Sequence, residues 1–507
     1  MLAVLAVLST LHFEGDIAPG NGDYVDVPFA VPAGTVEITV TKTYTTGANI
    51  LDFGVWAPEG FRGWSGGLTD DITIGVAQSS RGYLPGAITA AAGWYVEIGK
   101  AQLTDTGTHW TIDITFRDAA TLPVLPQAPF APVVMATGTR WYKGDFHVHD
   151  SQSGDSKATL QDDIDLAHSK GLDFINLSDH NTVSQHALVA AQQASWPVLV
   201  TRSSEITTYS GHGNGVGISQ YVDHRLGRNG RTMANVIDDV VAQGGAFIIN
   251  HPAENLGTNC IGCDWMHSTD IPWNEVSGIE VITAGYDVGV LAFTPQVVKL
   301  WDAQEDAGHR LSAVTGSDDH TAGMNEGSTG SPIGSPCTLV HTGELSEAAI
   351  VDAVKHQHTI ANLRGPDDPS VDLVAHGKGG ATAGIGDDID ELSALDVQVT
   401  GGDGYNLELW RDGAKLDELT VRGDDFTHTF HDQASKDDHR YRVALVLSND
   451  PVVITSHVYA HGVVDDASGG CSSAGGGAGW LVLALGLVFP FRARRAPRRA
   501  RPCSSRP

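Results

Sequence analysis

The run RWYKGDFHVHD at 140–150 sets His147 and His149 one residue apart. Side chains on a strand alternate with period two, so both imidazoles point the same way and can grip one cation. A bare His-x-His pair is more often an ordinary polar pair than a chelate, and the rest of the chain has to decide. Asp179 and His180 follow in LSDHN, Glu205 in SSEITT, His212 in GHGN, His251 in INHP, and Asp318 with His320 in GSDDH. Each falls at or just beyond the C-terminal end of a predicted strand. So many successive strand ends bearing imidazole or carboxylate make chance a poor explanation, and that face is where β/α barrels build their sites. The donors exceed what one tetrahedral ion needs, which predicts two or three divalent ions. Zinc, manganese and iron all suit mixed nitrogen and oxygen ligands.

The elements that must position these residues divide the chain. Residues 1–12 open with an apolar MLAVLAVLST, which reads as a short or truncated signal segment without a basic start. Short alternating runs such as TVEITVTKTY and HWTIDITF, broken by Pro, Gly and Asp, predict a β-sandwich over 13–135. The proline-rich LPVLPQAPFAPV at 122–133 is its outgoing linker. From 136 to 365 predicted strands alternate with helices over 160–170, 184–194, 233–243, 294–307 and 346–356. Repeated βα units predict parallel strands with covering helices, in an open sheet or a barrel. Short strands return over 366–465 as a second small sandwich. Residues 466–507 combine a Gly/Ser linker, an apolar span at 475–491 and seven arginines within 492–507.

In their order, DFHVHDSQSGDS, LSDHNT, SEITTYSGHGN, INHP and GSDDH resemble the motifs of the polymerase and histidinol phosphatase (PHP) superfamily. SEITT with GHGN, together with the leading APEGFRGWSGG and YLPGAI, is most similar to its CehA/McbA-type metallohydrolase branch. The resemblance spans about 20–365. It implies a distorted seven-stranded β/α barrel, here flanked by two β-sandwiches, with a di- or trinuclear centre. By the same resemblance His147, His149 and Asp318 hold one ion. Glu205 bridges to a second held by His251 and His212, and Asp155, His180 and His320 hold a third. Asp150 rivals Asp155, while Asn181 and Asp319 orient ligands. The implied activity is hydrolysis of a small-molecule phosphoester, carboxylic ester or carbamate by a metal-activated water. Catalytic roles fall to Asp318, Glu205 and His251. The amidohydrolase superfamily also opens with His-x-His, but it bridges its ions with lysine where this chain has Glu205. A surface binding or adhesion protein with a non-catalytic domain is the non-enzymatic alternative.

Charge and termini bear on place. The chain carries 31 Lys and Arg against 61 Asp and Glu, a net −30, and the part before residue 492 is still more acidic. Such a surface repels phosphate backbones and excludes nucleic acid as a partner. The tail (Cys471, Ser472, Ser473, the span and the arginines) resembles the myxobacterial MYXO-CTERM sorting signal. It implies export to the cell surface, outer membrane or periplasm, membrane attachment through the span, and sorting machinery as a partner. In an exported chain Cys260 and Cys263 of NCIGCDW are expected to pair as a local disulfide, and Cys337 to pack as a small hydrophobe. GWSGG at 63–67 matches a nucleophile-elbow pattern but lies in a predicted β domain, where a plain turn is expected. GDDID at 386–390 is expected to be a solvated acidic loop, and His168, His186, His356 and His358 to face solvent from helices.

Overall fold

A computed structural model of the chain describes residues 7–463, apart from 69, 287–289, 325–330 and 433–434. It is mostly β-sheet, with five α-helices among several sheets. The expected sorting tail lies outside the described residues. Among those described, no helix is long and apolar enough to cross a membrane.

Strict alternation drives the N-terminal sheets. Thr108–Arg117 buries every second side chain, from Trp110 through Ile112 and Ile114 to Phe116. Two four-stranded antiparallel sheets result. One runs Val7–Ile17, Thr108–Arg117, Glu37–Tyr44, Ile72–Gly75; the other runs Tyr24–Ala30, Ala92–Gln102, Ile50–Ala57, Gly60–Ser65. Phe53, Trp94, Ile112 and Phe116 lie in their shared core. Half of the segment read as a leader therefore belongs to a strand: residues 7–12 pair with Thr108–Arg117. Ser65 ends a strand, buried, with its hydroxyl 2.9 Å from the Tyr83 hydroxyl, so GWSGG builds no strand–turn–helix elbow.

The middle of the chain follows the predicted alternation. Helices Leu160–Ser169, Gln185–Gln192, Met233–Ala242, Thr294–Asp306 and Glu347–Lys355 stand where periodicity puts them. Thr159 and Thr232 close capping boxes at the first and third, satisfying amide groups the helix leaves unpaired. Two sheets carry the site. Leu199–Arg202, Phe174–Leu177 and Ala136–Val148 pair in parallel in one. In the other, Glu205–Thr208, Gly211–Val216, Ala246–Ile249, Val276–Thr283 and Ser312–Gly316 lie side by side. The expected all-parallel order fails at Glu205–Thr208, Gly211–Val216 and Ala246–Ile249, which are antiparallel neighbours. A tight turn at Tyr209 and Ser210 joins the first two, and a two-residue link permits only a hairpin. Glu205 thus opens a strand instead of ending one. The sheets meet at two isolated parallel bridges, His180 with Glu205 and Val148 with Asp319.

The C-terminal strands do not stand apart. Thr359–Asn362 pairs with Asp450–Thr455, which continues into His439–Leu447, Asn406–Arg411 and Ala414–Thr420. One eleven-stranded sheet therefore crosses the boundary expected near 366. A separate four-stranded sheet built on Ser370–His376 and Ala394–Thr400 packs into the same core through Leu373, Val397 and Leu407. In GDDID, Asp388 pairs with Arg310 at 2.6 Å and with His461 at 2.8 Å. Cys337 is buried and free, as its apolar context predicts.

Candidate metal centre

The five motifs converge at the strand ends where the two sheets meet. His147 and the residues after it leave the strand Ala136–Val148, and Asp318 and His320 follow Ser312–Gly316. Glu205 and His212 come from the hairpin, and His251 follows Ala246–Ile249. The approach is close enough to require glycine: a Cβ at Gly316 would stand 2.3 Å from the His147 Cβ and 2.5 Å from Glu280 Oε1. His251 and Asp318 adopt positive φ angles of 29° and 55°, which such residues rarely take. Strain of this kind concentrates where surrounding structure holds a functional side chain in place.

Four buried donor atoms have no hydrogen-bond partner: His147 Nε2, His149 Nε2, Glu205 Oε2 and Asp318 Oδ1. They face one another. His147 Nε2 lies 3.5 Å from Glu205 Oε2 and 3.3 Å from Asp318 Oδ1, and His149 Nε2 lies 3.6 and 3.1 Å from the same atoms. Ligands about 2.0–2.1 Å from a tetrahedral ion stand about 3.4 Å apart. Donors left unpaired in a dry interior are costly, and a cation at their centre would satisfy all four.

The other carboxylate oxygen faces a second group. Glu205 Oε1 is 3.2 Å from His212 Nδ1 and 3.1 Å from His251 Nε2. A third group lies nearer solvent. Asp155 Oδ2 stands 3.5 Å from His180 Nε2 and 3.8 Å from His320 Nε2, and those two nitrogens are 3.3 Å apart. His180 also reaches Glu205 Oε2 through Nδ1 at 2.7 Å. The structure brings together His147, His149, Asp155, His180, Glu205, His212, His251, Asp318 and His320. Asp150 turns away: its carboxylate caps the turn Ser151–Ser153 by accepting from the Gln152 amide at 2.5 Å. Side-chain exposures of 22%, 26% and 48% at His180, His320 and Asp155, against none at His147 and His149, place the mouth on the third group's side.

Electrostatics match this layout. Burial opposes charge on His147, yet Asp318, Glu280 and Glu205 outweigh it and hold its pKa well above the usual imidazole range. His180 is raised likewise by Asp155 and Glu205, and Glu205 lifts His251 to about 9, both against burial. Glu205 is held well below the carboxylate range: burial works the other way, but His147 and His180 prevail. Burial pushes His149 down to about 3, helped by His320 and His180. Protons and a metal cation therefore compete for the same donors.

Several supporting residues escape a motif reading. Glu280 Oε1 sits 3.0 Å from His147 Nδ1, while its Oε2 accepts from the His251 amide at 2.9 Å and the Thr283 hydroxyl at 2.7 Å. A carboxylate behind a ligating imidazole fixes its tautomer and orientation. The signal was a lone acid inside the apolar strand VSGIEVIT. Ser153 plays the same part for His149, with Oγ 2.8 Å from Nδ1. Asn181 and Asp319 act through backbone: Asn181 clasps both polar groups of Thr207, and Asp319 accepts from the amides of Thr321, Gly323 and Ile333. His186, expected at the surface, is buried with Nε2 3.0 Å from the Ser203 carbonyl.

The N-terminal sheets brace these loops. Asp52 Oδ2 accepts from the Tyr209 hydroxyl at 2.7 Å, and the Gly82 carbonyl accepts from Thr182 at 3.0 Å. Buried Glu97 receives Arg225 at 2.8 Å and Arg228 at 2.6 Å.

No family model and no curated protein matches the chain. Among solved structures, an amidohydrolase from Chromobacterium violaceum aligns over 37% of this chain and 90% of its own, at 15% identity and a TM-score of 0.27. A protein named as a metal-dependent phosphoesterase from Bifidobacterium adolescentis aligns over 37% and 92%, at 13% and 0.24. A β-glucuronidase from Bacteroides uniformis aligns over 87% and 61%, at 12% and 0.19. These likenesses are too distant to assign a fold or an activity.

Proposed function

We propose that this chain is a multinuclear metal-dependent hydrolase of the PHP type, CehA/McbA-like, acting on a phosphoester, carboxylic ester or carbamate. The observation that carries the reading is the convergence of four buried, otherwise unpartnered donors on His147, His149, Glu205 and Asp318. Two further donor groups share or adjoin Glu205. The ring supports the family reading: seven strands follow one another from Phe174–Leu177 through Ala136–Val148 and Ser312–Gly316 to Glu205–Thr208, closed by two single bridges.

Two or three divalent ions would supply Lewis acidity and a water acidified towards neutral pH. Glu205 spans the first and second donor groups with its two oxygens. Asp318, with a side chain 31% exposed, is the first-group carboxylate that can pass a proton outward. His251 is aligned through its amide by Glu280. His180, His320 and Asp155, at the mouth, meet the substrate first.

We place the body outside the cytoplasm, sorted or anchored through the tail, because that tail is arginine-rich and the body strongly acidic. Full-length protein loaded with zinc or manganese should hold at least two metal equivalents by elemental analysis and cleave one class in an ester, phosphoester and carbamate panel. Glu205→Gln should abolish turnover and lose metal while keeping its circular dichroism. One equivalent or none in the wild type would overturn the reading.

A further inference from the structure

The Cys260–Cys263 disulfide closes a loop that lies directly on the second donor group. The Ile261 carbonyl is 3.1 Å from His212 Nε2, and the Cys263 carbonyl is 3.2 Å from His251 Nδ1. A carbonyl can only accept, so each imidazole donates there and, when neutral, turns its other nitrogen towards Glu205 Oε1. The loop is seated tightly: Gly262 has a φ of 81°, and a Cβ there would stand 2.3 Å from the Thr208 carbonyl of the site hairpin. Cys263 Sγ itself lies 4.0 Å from His251 Nε2. His212, His251 and Cys263 each offer a donor atom within 4.8 Å of the other two, and all three are buried. Zinc bonds of about 2.3 Å to sulfur and 2.0–2.1 Å to nitrogen set those two donors about 3.6 Å apart. Only a small shift separates the observed geometry from a shared ion.

We infer that Cys263 is a redox-gated metal ligand: opening the disulfide gives a thiophilic divalent cation a third donor beside His212 and His251. The inference rests on the metal-centre reading above. Cys260 is the more exposed partner. A small dithiol attacks its sulfur as thiolate; the S–S bond breaks and its electron pair leaves on Cys263. The dithiol's second thiol then resolves the mixed disulfide, releasing the oxidised dithiol and a Cys260 thiol. Two electrons pass from dithiol to protein. The Cys263 thiolate stays beside the two imidazoles, where a cation replaces the proton it would otherwise hold.

Cobalt(II) is the probe, because a cobalt–thiolate bond gives an ultraviolet charge-transfer band that nitrogen and oxygen ligands do not. Full-length protein is loaded as isolated, after dithiol treatment with the dithiol removed anaerobically, as Cys260→Ser, and as Cys263→Ser. The band should be absent as isolated, appear with one thiolate per chain in the reduced protein and in Cys260→Ser, and be lost in Cys263→Ser. Both variants lack the disulfide, so loop loosening alone cannot produce this contrast. If Cys260→Ser does not fold, reduced wild type carries the test. Cobalt bound without the band in the reduced protein overturns the inference and leaves the metal centre standing. No cobalt in any arm overturns both.

Discussion

Glu280 shows how much of the centre is decided behind its ligands. Its two oxygens reach the His147 ring and the His251 amide, so one buried carboxylate sets two candidate ligands at once. Glu280→Gln keeps the size but removes the charge, and should weaken metal binding by about 10–100-fold. Zinc competition titration measures it; unchanged affinity would remove Glu280 from the site. His186 tests burial away from the ligands. Burial pushes its pKa down to about 4, while an unfolded histidine titrates near 6.5. The unfolded chain therefore takes the proton first as pH falls. The stability His186 contributes is complete above about 6.5, declines at up to about 1.4 kcal/mol per pH unit, and is gone below about 4. His186→Gln should lose less thermal stability than wild type across that window in calorimetry; parallel curves would contradict the assignment.

The site hairpin Glu205–Thr208 and Gly211–Val216 is held from outside by one charged hydrogen bond, from Tyr209 to Asp52. Burial raises Asp52 to about 6, with the Tyr209 hydroxyl acting to lower it. Tyr209→Phe should cost about 1–3 kcal/mol in denaturant unfolding, since a buried acceptor loses its donor. It should also weaken metal binding, because Glu205 and His212 ride on that hairpin. The ligands were legible in sequence because imidazoles and carboxylates at strand ends are unusual and their motifs come in order. Glu280 was not, because a single acid in an apolar strand looks like any other pleat position. The antiparallel hairpin was hidden as well. SEITTYSGHGN reads as one strand and a loop until pairing reveals two strands around Tyr209 and Ser210. His186 misled for a different reason: its helix is too short to show which face is covered.

At the scale of the whole molecule, sheet continuity overrides the sequence boundaries. Composition shifts near 366, yet Thr359–Asn362 pairs with Asp450–Thr455, and Ile360 and Ile454 are both buried. Ending the chain after residue 365 strips a neighbour from that strand and exposes an apolar edge. Such a truncation should aggregate or lose its sheet signal in size-exclusion chromatography and circular dichroism. A monodisperse, folded product would show that the C-terminal strands are dispensable. The two seams of the strand ring carry a different consequence. At each one the backbone is joined by a single bridge, and candidate ligands sit on both sides: His180 against Glu205, and His147 and His149 beside Asp318. A cation shared across a seam would act as a rivet, stitching strands that main-chain bonding scarcely holds. Amides such as Asn181, bonded to the Glu205 carbonyl, and His149, bonded to that of Asp319, should then exchange with deuterium far more slowly in loaded protein than after chelation. Equal exchange in the two states would mean that the barrel closes without help, and that its ions serve chemistry alone.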